Sequence, residues 1–264
     1  MSLWVRVPTN IAFIKYWGKS NFDLNWPVND SISMVLSSLV TETTTNLIEE
    51  DNYRVWFDNQ SLDQNDKRFL RIKDFLDWIK KKEGFVGGLE IKTHNSFYSD
   101  CGIASSASGF GALSISSILT WTNSRNFQEL LSKGFNMKKL EDISRIGSGS
   151  SCRSFVPGFA HWKRGVSPED QSVEQIEDHN WSLSDTIVVV SRLKKKVSSR
   201  QGHKLSVQSP YFDQRLIEVK TRIERILEAI NTNDIESFGK VIEEEACSLH
   251  KVIETSGLSY RSKE

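Results

Sequence analysis

Three serines and two glycines crowd the string Gly102-Ile103-Ala104-Ser105-Ser106-Ala107-Ser108-Gly109, and the apolar residues after it, Phe110, Leu113 and Ile118, recur at helical steps. A helix opening there offers free N–H groups and a partial positive charge to an anion. Residues without bulk let a polyphosphate approach the backbone, and the serine hydroxyls add donors. The string is neither a P-loop nor a dinucleotide fingerprint: Gly18-Lys19-Ser20 has Phe13 where the first P-loop glycine belongs. Close helix packing through small residues leaves the same pattern, so both readings stand.

A second cluster, Gly147 to Arg153, sets Ser148, Ser150 and Ser151 beside one guanidinium. Arginine holds carboxylate or phosphate through a planar, bidentate fork that lysine lacks, which makes this string an anion clamp or else a flexible loop with a surface Arg. In Asn10-Ile11-Ala12-Phe13-Ile14-Lys15-Tyr16-Trp17-Gly18-Lys19, an extended chain puts Lys15, Trp17 and Lys19 on one face and Tyr16 on the other. Two ammonium groups could then meet a polyanion, although exposed strand lysines have the same spacing. Lys194 to Lys196 forms a basic turn, either a solvated one or a loop that closes over phosphates.

These residues need a scaffold, and the pattern of the chain supplies one. From Trp4 to Phe57 alternation and β-branched residues predict several short strands, with turns at Asn21 to Pro27 and at Glu50 to Asn52. Phe69, Ile72, Phe75, Leu76 and Ile79 predict an amphipathic helix over about 64–83, stopped by Gly84. Gly88 to Phe97 returns to strand, Ser105 to Trp121 reads as a buried helix, and Phe127 to Ile146 as another. Pro157 to Trp162 looks extended, the first domain closes near Asn180, and Asp185 to Ser191 is a buried-strand pattern. Two amphipathic helices end the chain, marked by Leu216, Val219, Ile223, Ile226, Leu227 and Ile230 and by Ile235, Phe238, Val241, Ile242, Ala246, Leu249 and Val252. One strand and two helices are an incomplete layer, so strands are missing or this strand joins the first domain's sheet.

Composition sets the outer bounds. The 264 residues carry 34 Lys plus Arg and 34 Asp plus Glu, a net charge of zero, which excludes a global basic field for nucleic acid. At 38% hydrophobic, with eight Trp and fourteen Phe, the chain buries a large core and is neither disordered nor fibrous. No apolar run reaches the roughly 20 residues of a membrane helix. Cys101, Cys152 and Cys247 lie far apart without a CxxC pair, and the five His show no metal-ligand spacing, so a reducing cytoplasm is expected and any metal arrives with a substrate.

Taken together, "PTNIAFIKYWGK", "LNWPVNDSIS", "GIASSASGFGAL", "RIGSGSSCRS" and "VSSRQGHKLSVQSPYF" resemble, in order, the diphosphomevalonate decarboxylase family of the GHMP kinase superfamily. The resemblance runs from Pro8 to about His250. It implies an α+β GHMP kinase fold: an N-terminal domain like the ribosomal S5 second domain over residues 1–182, and a ferredoxin-like C-terminal domain over 183–264 that looks truncated. It implies ATP-dependent phosphorylation of the 3-hydroxyl of mevalonate 5-diphosphate, then loss of phosphate and carbon dioxide to give isopentenyl diphosphate, with Mg²⁺ accompanying ATP. Carried over by motif, Gly102, Ala104, Ser105 and Ser106 would hold the ATP phosphates, with Ser106 also toward the metal. Asn10, Tyr16 and Lys19 would contact substrate, and Lys15 would lie near the transferred phosphoryl group. Ser148, Ser150 and Arg153 match the substrate motif, Arg153 gripping the carboxylate, and Ser209 would help to hold the diphosphate. A homodimer is the implied assembly, with neither nucleic acid nor membrane as partner.

Two departures accompany the resemblance. Tyr98-Ser99-Asp100-Cys101 replaces the family's Pro-Thr-Ala-Ala before Gly102, and a carboxylate at Asp100 should repel nucleotide unless Mg²⁺ or a lysine offsets it. Family members also continue past the helix carrying "EEEACSLHKVIETSG", into strands and the Asp that orients or deprotonates the 3-hydroxyl. No residue here matches that Asp, so weak or no turnover is expected of these 264 residues while phosphate binding survives. Phosphomevalonate decarboxylase, mevalonate 3-kinase and a non-catalytic phosphate-binding relative are the alternatives.

Overall fold

A computed structural model describes residues 3–98, 104–177, 181–188 and 199–258. In chain order the elements are β1 (Val5–Ile14), β2 (Lys19–Asn21), β3 (Trp26–Pro27), β4 (Ser31–Ile48), β5 (Tyr53–Phe57), β6 (Gln60–Ser61), α1 (Lys67–Glu83), β7 (Gly88–Asn95), α2 (Ser105–Trp121), α3 (Phe127–Ser132), α4 (Met137–Gly147), β8 (Phe159–Lys163), β9 (Ser172–Ile176), α5 (Ser199–Leu205), α6 (Phe212–Asn231) and α7 (Ile235–Thr255). The mixture is α+β, as the family resemblance implies. The described residues form two compact units that interleave along the chain: 3–9, 36–98 and 104–155 in the first, 10–35, 156–177, 181–188 and 199–258 in the second. Both β1 and β4 therefore start in one unit and end in the other.

In the first unit the strand order is β6-β5-β7-β4. β7 pairs parallel with β5, Val55 opposite Ile91, and antiparallel with β4, Thr45 opposite Ile91. The helix predicted over 64–83 starts at Lys67, because Asp66 accepts the Arg68 N–H at 2.7 Å, and ends at Gly84 with φ 73°, a left-handed stop that favours glycine. Its Phe69, Phe75, Leu76 and Ile79 pack with Val55, Leu89 and Ile91 of the sheet and with Phe110, Leu113 and Ile118 of α2. Burying one such side chain contributes roughly 2 kcal/mol. α2 spans the residues read from the sequence and is buried nearly all round, which is why its Ser117 hydroxyl donates to its own helix, to the Leu113 carbonyl at 2.7 Å.

The single helix expected over 127–146 is two. Gly134, at φ 82°, takes the chain out of α3, and Asn136 starts α4 by accepting the Lys139 N–H at 2.9 Å. Leu130, Phe135, Leu140 and Ile143 share one core across the break, so the apolar period continues where the hydrogen-bond ladder does not.

In the second unit Ser31–Met34 pairs antiparallel with β8, and β8 with β9, a strand the sequence reading did not single out. Helices α6 and α7 pack their apolar stripes, Val219, Ile226, Ile230, Phe238 and Val241, with Ile14, Ile32 and Phe159 of the strands. A second cluster gathers Trp17, Phe212, Leu249, Val252 and Ile253. The buried strand expected over Asp185 to Ser191 is not formed in its first part: residues 185–188 have no strand pairing, and Val188 is 76% exposed. β-branched residues make a strand only where a neighbour accepts the backbone and packs the faces. Residues 189–191, the turn Lys194–Lys196 and the boundary near Asn180 lie outside the described residues.

Candidate active site

The first unit carries the phosphate-type cluster. α2 opens at Ser105 directly after Ala104, which provides no side-chain cap, and its first turn contains no acidic residue. N–H groups at such a terminus favour an anion. The two readings of the small residues divide along the helix. At Gly111 a Cβ would stand 3.0 Å from Val7 and 3.3 Å from the Ser151 hydroxyl, so packing explains that glycine. At Gly109 a Cβ would meet nothing within 4 Å among the described residues, so packing does not explain that one. Gly102 and Asp100 lie outside the described residues.

The serine-rich string joins this helix mouth. The Ser106 and Ser148 hydroxyls, 42 residues apart in sequence, are 3.0 Å apart, Ser148 and Ser150 are 3.4 Å apart, and Ser151 donates to the Ala107 carbonyl at 2.7 Å. Gly149–Ser154 is a 3-10 helix that buries Arg153 to 4% exposure, which rules out the flexible loop with a surface Arg. Gly147 permits the approach: a Cβ there would lie 2.1 Å from the Phe110 ring. Arg71 holds the join from outside, donating to the Gly147 carbonyl at 2.7 Å with its guanidinium 4.5 Å from the Phe110 centroid. Cys152 is no nucleophile here, since burial pushes its thiol up to about 12. In the same unit a groove of about 900 Å³ is lined by Phe57, Asp66, Arg68, Asn95, Phe97 and Tyr98, among others.

The second unit carries the lysine motif, and one expectation needs correction there. Lys15, Trp17 and Lys19 do not share the face of one strand, because β1 ends at Ile14, Gly18 turns the chain at φ 95°, and β2 begins at Lys19. Trp17 turns into the core beside Phe212 and Leu249. The turn instead brings Tyr16 and Lys19 together: Lys19 donates to the Asn25 side chain, Tyr16 donates to the Asn25 carbonyl at 3.4 Å, and the ammonium lies 5.8 Å from the Tyr16 ring centroid. Asn10 is buried in β1.

Lys15 is gripped by its backbone. Its N–H donates to Glu245 at 3.2 Å, and its carbonyl accepts from Arg215 at 3.1 Å and from Asn29 at 3.2 Å. Arg215 and Glu245 form a fully buried ion pair, and Arg222 reaches the second Glu245 oxygen at 3.2 Å. These residues were missed in the sequence, yet a signal existed: Arg215, Val219, Arg222 and Ile226 step along one helical stripe, as do Val241, Glu245 and Leu249. A charge at an apolar position of a stripe marks a buried network.

Ser209 has its hydroxyl committed inside the protein. It is 2.7 Å from the Thr255 hydroxyl, which itself donates to the Lys251 carbonyl at 2.6 Å, so the shared proton comes from Ser209; its oxygen also accepts the Tyr211 N–H at 3.2 Å. The "NDSIS" motif anchors the unit: burial works against the Asp30 carboxylate, but hydrogen bonds from His161 at 3.0 Å and from the Arg164 N–H at 2.8 Å hold it below the usual range.

ATP and Mg²⁺ fit what the first unit offers. Among the described residues no three of His, Cys, Asp and Glu gather to hold a metal. The donor set at the helix mouth is hydroxyls and N–H groups, which suit a polyphosphate that brings its own Mg²⁺. Among the described residues no helix is long and apolar enough to cross a membrane.

Comparison with known proteins gives concordant matches. Residues 7–174 match the Diphosphomevalonate decarboxylase-like N-terminal domain, and residues 186–257 the Mevalonate 5-diphosphate decarboxylase C-terminal domain. The diphosphomevalonate decarboxylase of Candida albicans is 35% identical over 94% of this chain and 70% of its own length. That of Schizosaccharomyces pombe is 33% identical over 93% of this chain and 65% of its own. The chain thus spans about two thirds of the length of these curated relatives. A solved structure described as MDDEF in complex with MVAPP, AMPPCP and magnesium superposes with a TM-score of 0.86 at 29% identity, over 100% of this chain and 79% of the other.

Proposed function

Because the chain belongs to the diphosphomevalonate decarboxylase family, we propose that it serves the ATP-dependent decarboxylation of mevalonate 5-diphosphate to isopentenyl diphosphate, supplying the phosphate and substrate contacts. The observation that carries this is the Ser106–Ser148 hydrogen bond, which fastens the phosphate-type helix mouth to the carboxylate-type Ser/Arg cluster.

In this reading Ala104, Ser105 and Ser106 hold the nucleotide phosphates, as the resemblance also implies for Gly102, with Ser106 toward Mg²⁺. MgATP supplies, when bound, the phosphoryl group that converts the 3-oxygen into a leaving group. Ser148 and Ser150 orient the substrate by hydrogen bonds. Arg153, buried and planar, keeps the substrate carboxylate ionised and fixes its direction, so that it departs as carbon dioxide. The family resemblance assigns Asn10, Tyr16 and Lys19 to the substrate, and Lys15 to offsetting charge near the transferred phosphoryl group. Ser209 serves the diphosphate only if its proton leaves Thr255. The groove at Phe57, Phe97 and Tyr98 has the aromatic lining that a nucleotide base requires. A division into domains at 182/183, a homodimeric assembly and a reducing cytoplasm complete the proposal.

Calorimetric titration with AMPPCP and magnesium, followed by mevalonate 5-diphosphate, tests the reading independently of turnover. Both ligands should bind, Ser106→Ala should weaken the nucleotide and Arg153→Lys the substrate, each by about tenfold, a charged or multiple hydrogen bond's worth. Isopentenyl diphosphate detected by mass spectrometry after incubation with Mg-ATP establishes the reaction. A 3-phosphorylated product without loss of carbon dioxide assigns a kinase instead, and failure of both ligands to bind overturns the proposal.

A further inference from the structure

Gly18 turns its N–H inward, where it donates to the Nδ1 of His203 at 3.0 Å in a buried hydrogen bond. The His203 ring also lies against the two residues before that glycine: 4.5 Å from the Tyr16 ring at 43°, and 4.8 Å from the Trp17 ring at 32°. Tyr16 has Trp162 as a second ring neighbour at 4.8 Å. Trp162 is fully buried and bonded through its indole N–H to Gln171 at 3.2 Å. Tyr16 is therefore held between a fixed wall and His203. No side chain can replace Gly18, since a Cβ would stand 2.7 Å from Phe212.

The geometry points to His203 as the positioning residue that sets the direction of Tyr16 and Lys19. A backbone N–H can only donate, so Nδ1 carries no proton and the ring's hydrogen sits on Nε2. Without this acceptor the Gly18 N–H is left buried and unsatisfied, and the chain must turn outward to find water. Tyr16 and Lys19 flank that glycine and move with it. The inference rests on the proposed reading of Tyr16 and Lys19 as substrate contacts.

The test compares His203→Asn, which keeps an acceptor near the Nδ1 position, with His203→Phe, which keeps the ring and removes the acceptor. Mevalonate 5-diphosphate is the probe in calorimetry, and exchange of the Gly18 amide hydrogen is followed by NMR. His203→Phe should bind about tenfold more weakly and exchange Gly18 faster, while His203→Asn restores protection and binds within about threefold of wild type. If Phe does not fold, His203→Leu takes its place. Wild-type binding by the Phe variant, or an Asn variant as weak as Phe, overturns the inference. Lys19→Ala separates the two readings: if it binds like wild type, the substrate role of this turn fails, and the Gly18 exchange rates alone decide the positioning.

Discussion

At the scale of single residues, burial of a charge or a missing Cβ decides more than propensity. Glu141 on α4 is buried, and desolvation, with Asp142 adding and Lys138 and Arg145 opposing, pushes its carboxyl up to about 7. Below its ordinary value of 4.5 it is neutral in both folded and unfolded chains. As pH rises from there to 7 the unfolded chain ionises first, so this group lowers stability across that window, by a total on the order of 3 kcal/mol. Glu141→Gln should flatten that slope and be the more stable form above neutral pH, read from urea midpoints at about pH 5 and about pH 8. Gly147→Ala forces a methyl into the Phe110 ring and should destabilise by about 1–3 kcal/mol in the same measurement. That glycine stands inside a recognisable motif, but nothing in the motif says that an aromatic ring fills its place.

Elements place these residues, and their ends are where sequence and structure part. The end of α1 was legible because Gly84 acts locally, and the span of α2 because its small and apolar residues recur at helical steps; the start of α1 was read three residues early, since the Asp66 cap was not recognised. The break between α3 and α4 was obscured because both helices feed one core. Helices α6 and α7 were legible from their stripes, and the Arg215–Glu245–Arg222 network between them left its signal there too, as charges at stripe positions, which a search for apolar residues alone passes over. Glu245→Ala leaves two buried guanidinium groups without their shared carboxylate and releases the Lys15 N–H. It should cost about 3–5 kcal/mol, seen as a large fall in the urea midpoint with α6 and α7 the first to lose amide protection.

For the molecule as a whole, binding and charge govern behaviour. If AMPPCP with magnesium binds only the folded chain, a concentration 100 times its dissociation constant should add about 2.7 kcal/mol of stability, visible as a rise in Tm. Ser106→Ala should shift the concentration needed for a given rise, not the rise at a given multiple of the variant's own dissociation constant. A net charge of zero provides no field for nucleic acid, so a DNA duplex at physiological salt should leave Tm unchanged.

Hydrophobic period and local caps, both short-range, determined most of the strands and helices, while the quoted motifs in their order carried the family resemblance and the α+β class it implies. Motif order determined the candidate residues. Only the tertiary structure decided that Ser106 meets Ser148, that Arg153 is buried, that β1 ends at Ile14 and leaves Lys15 outside the strand, and that residues 185–188 stay unpaired. Each of those depends on partners brought from distant positions, and the free energy of a buried hydrogen bond or a strand ladder exists only once both partners have arrived.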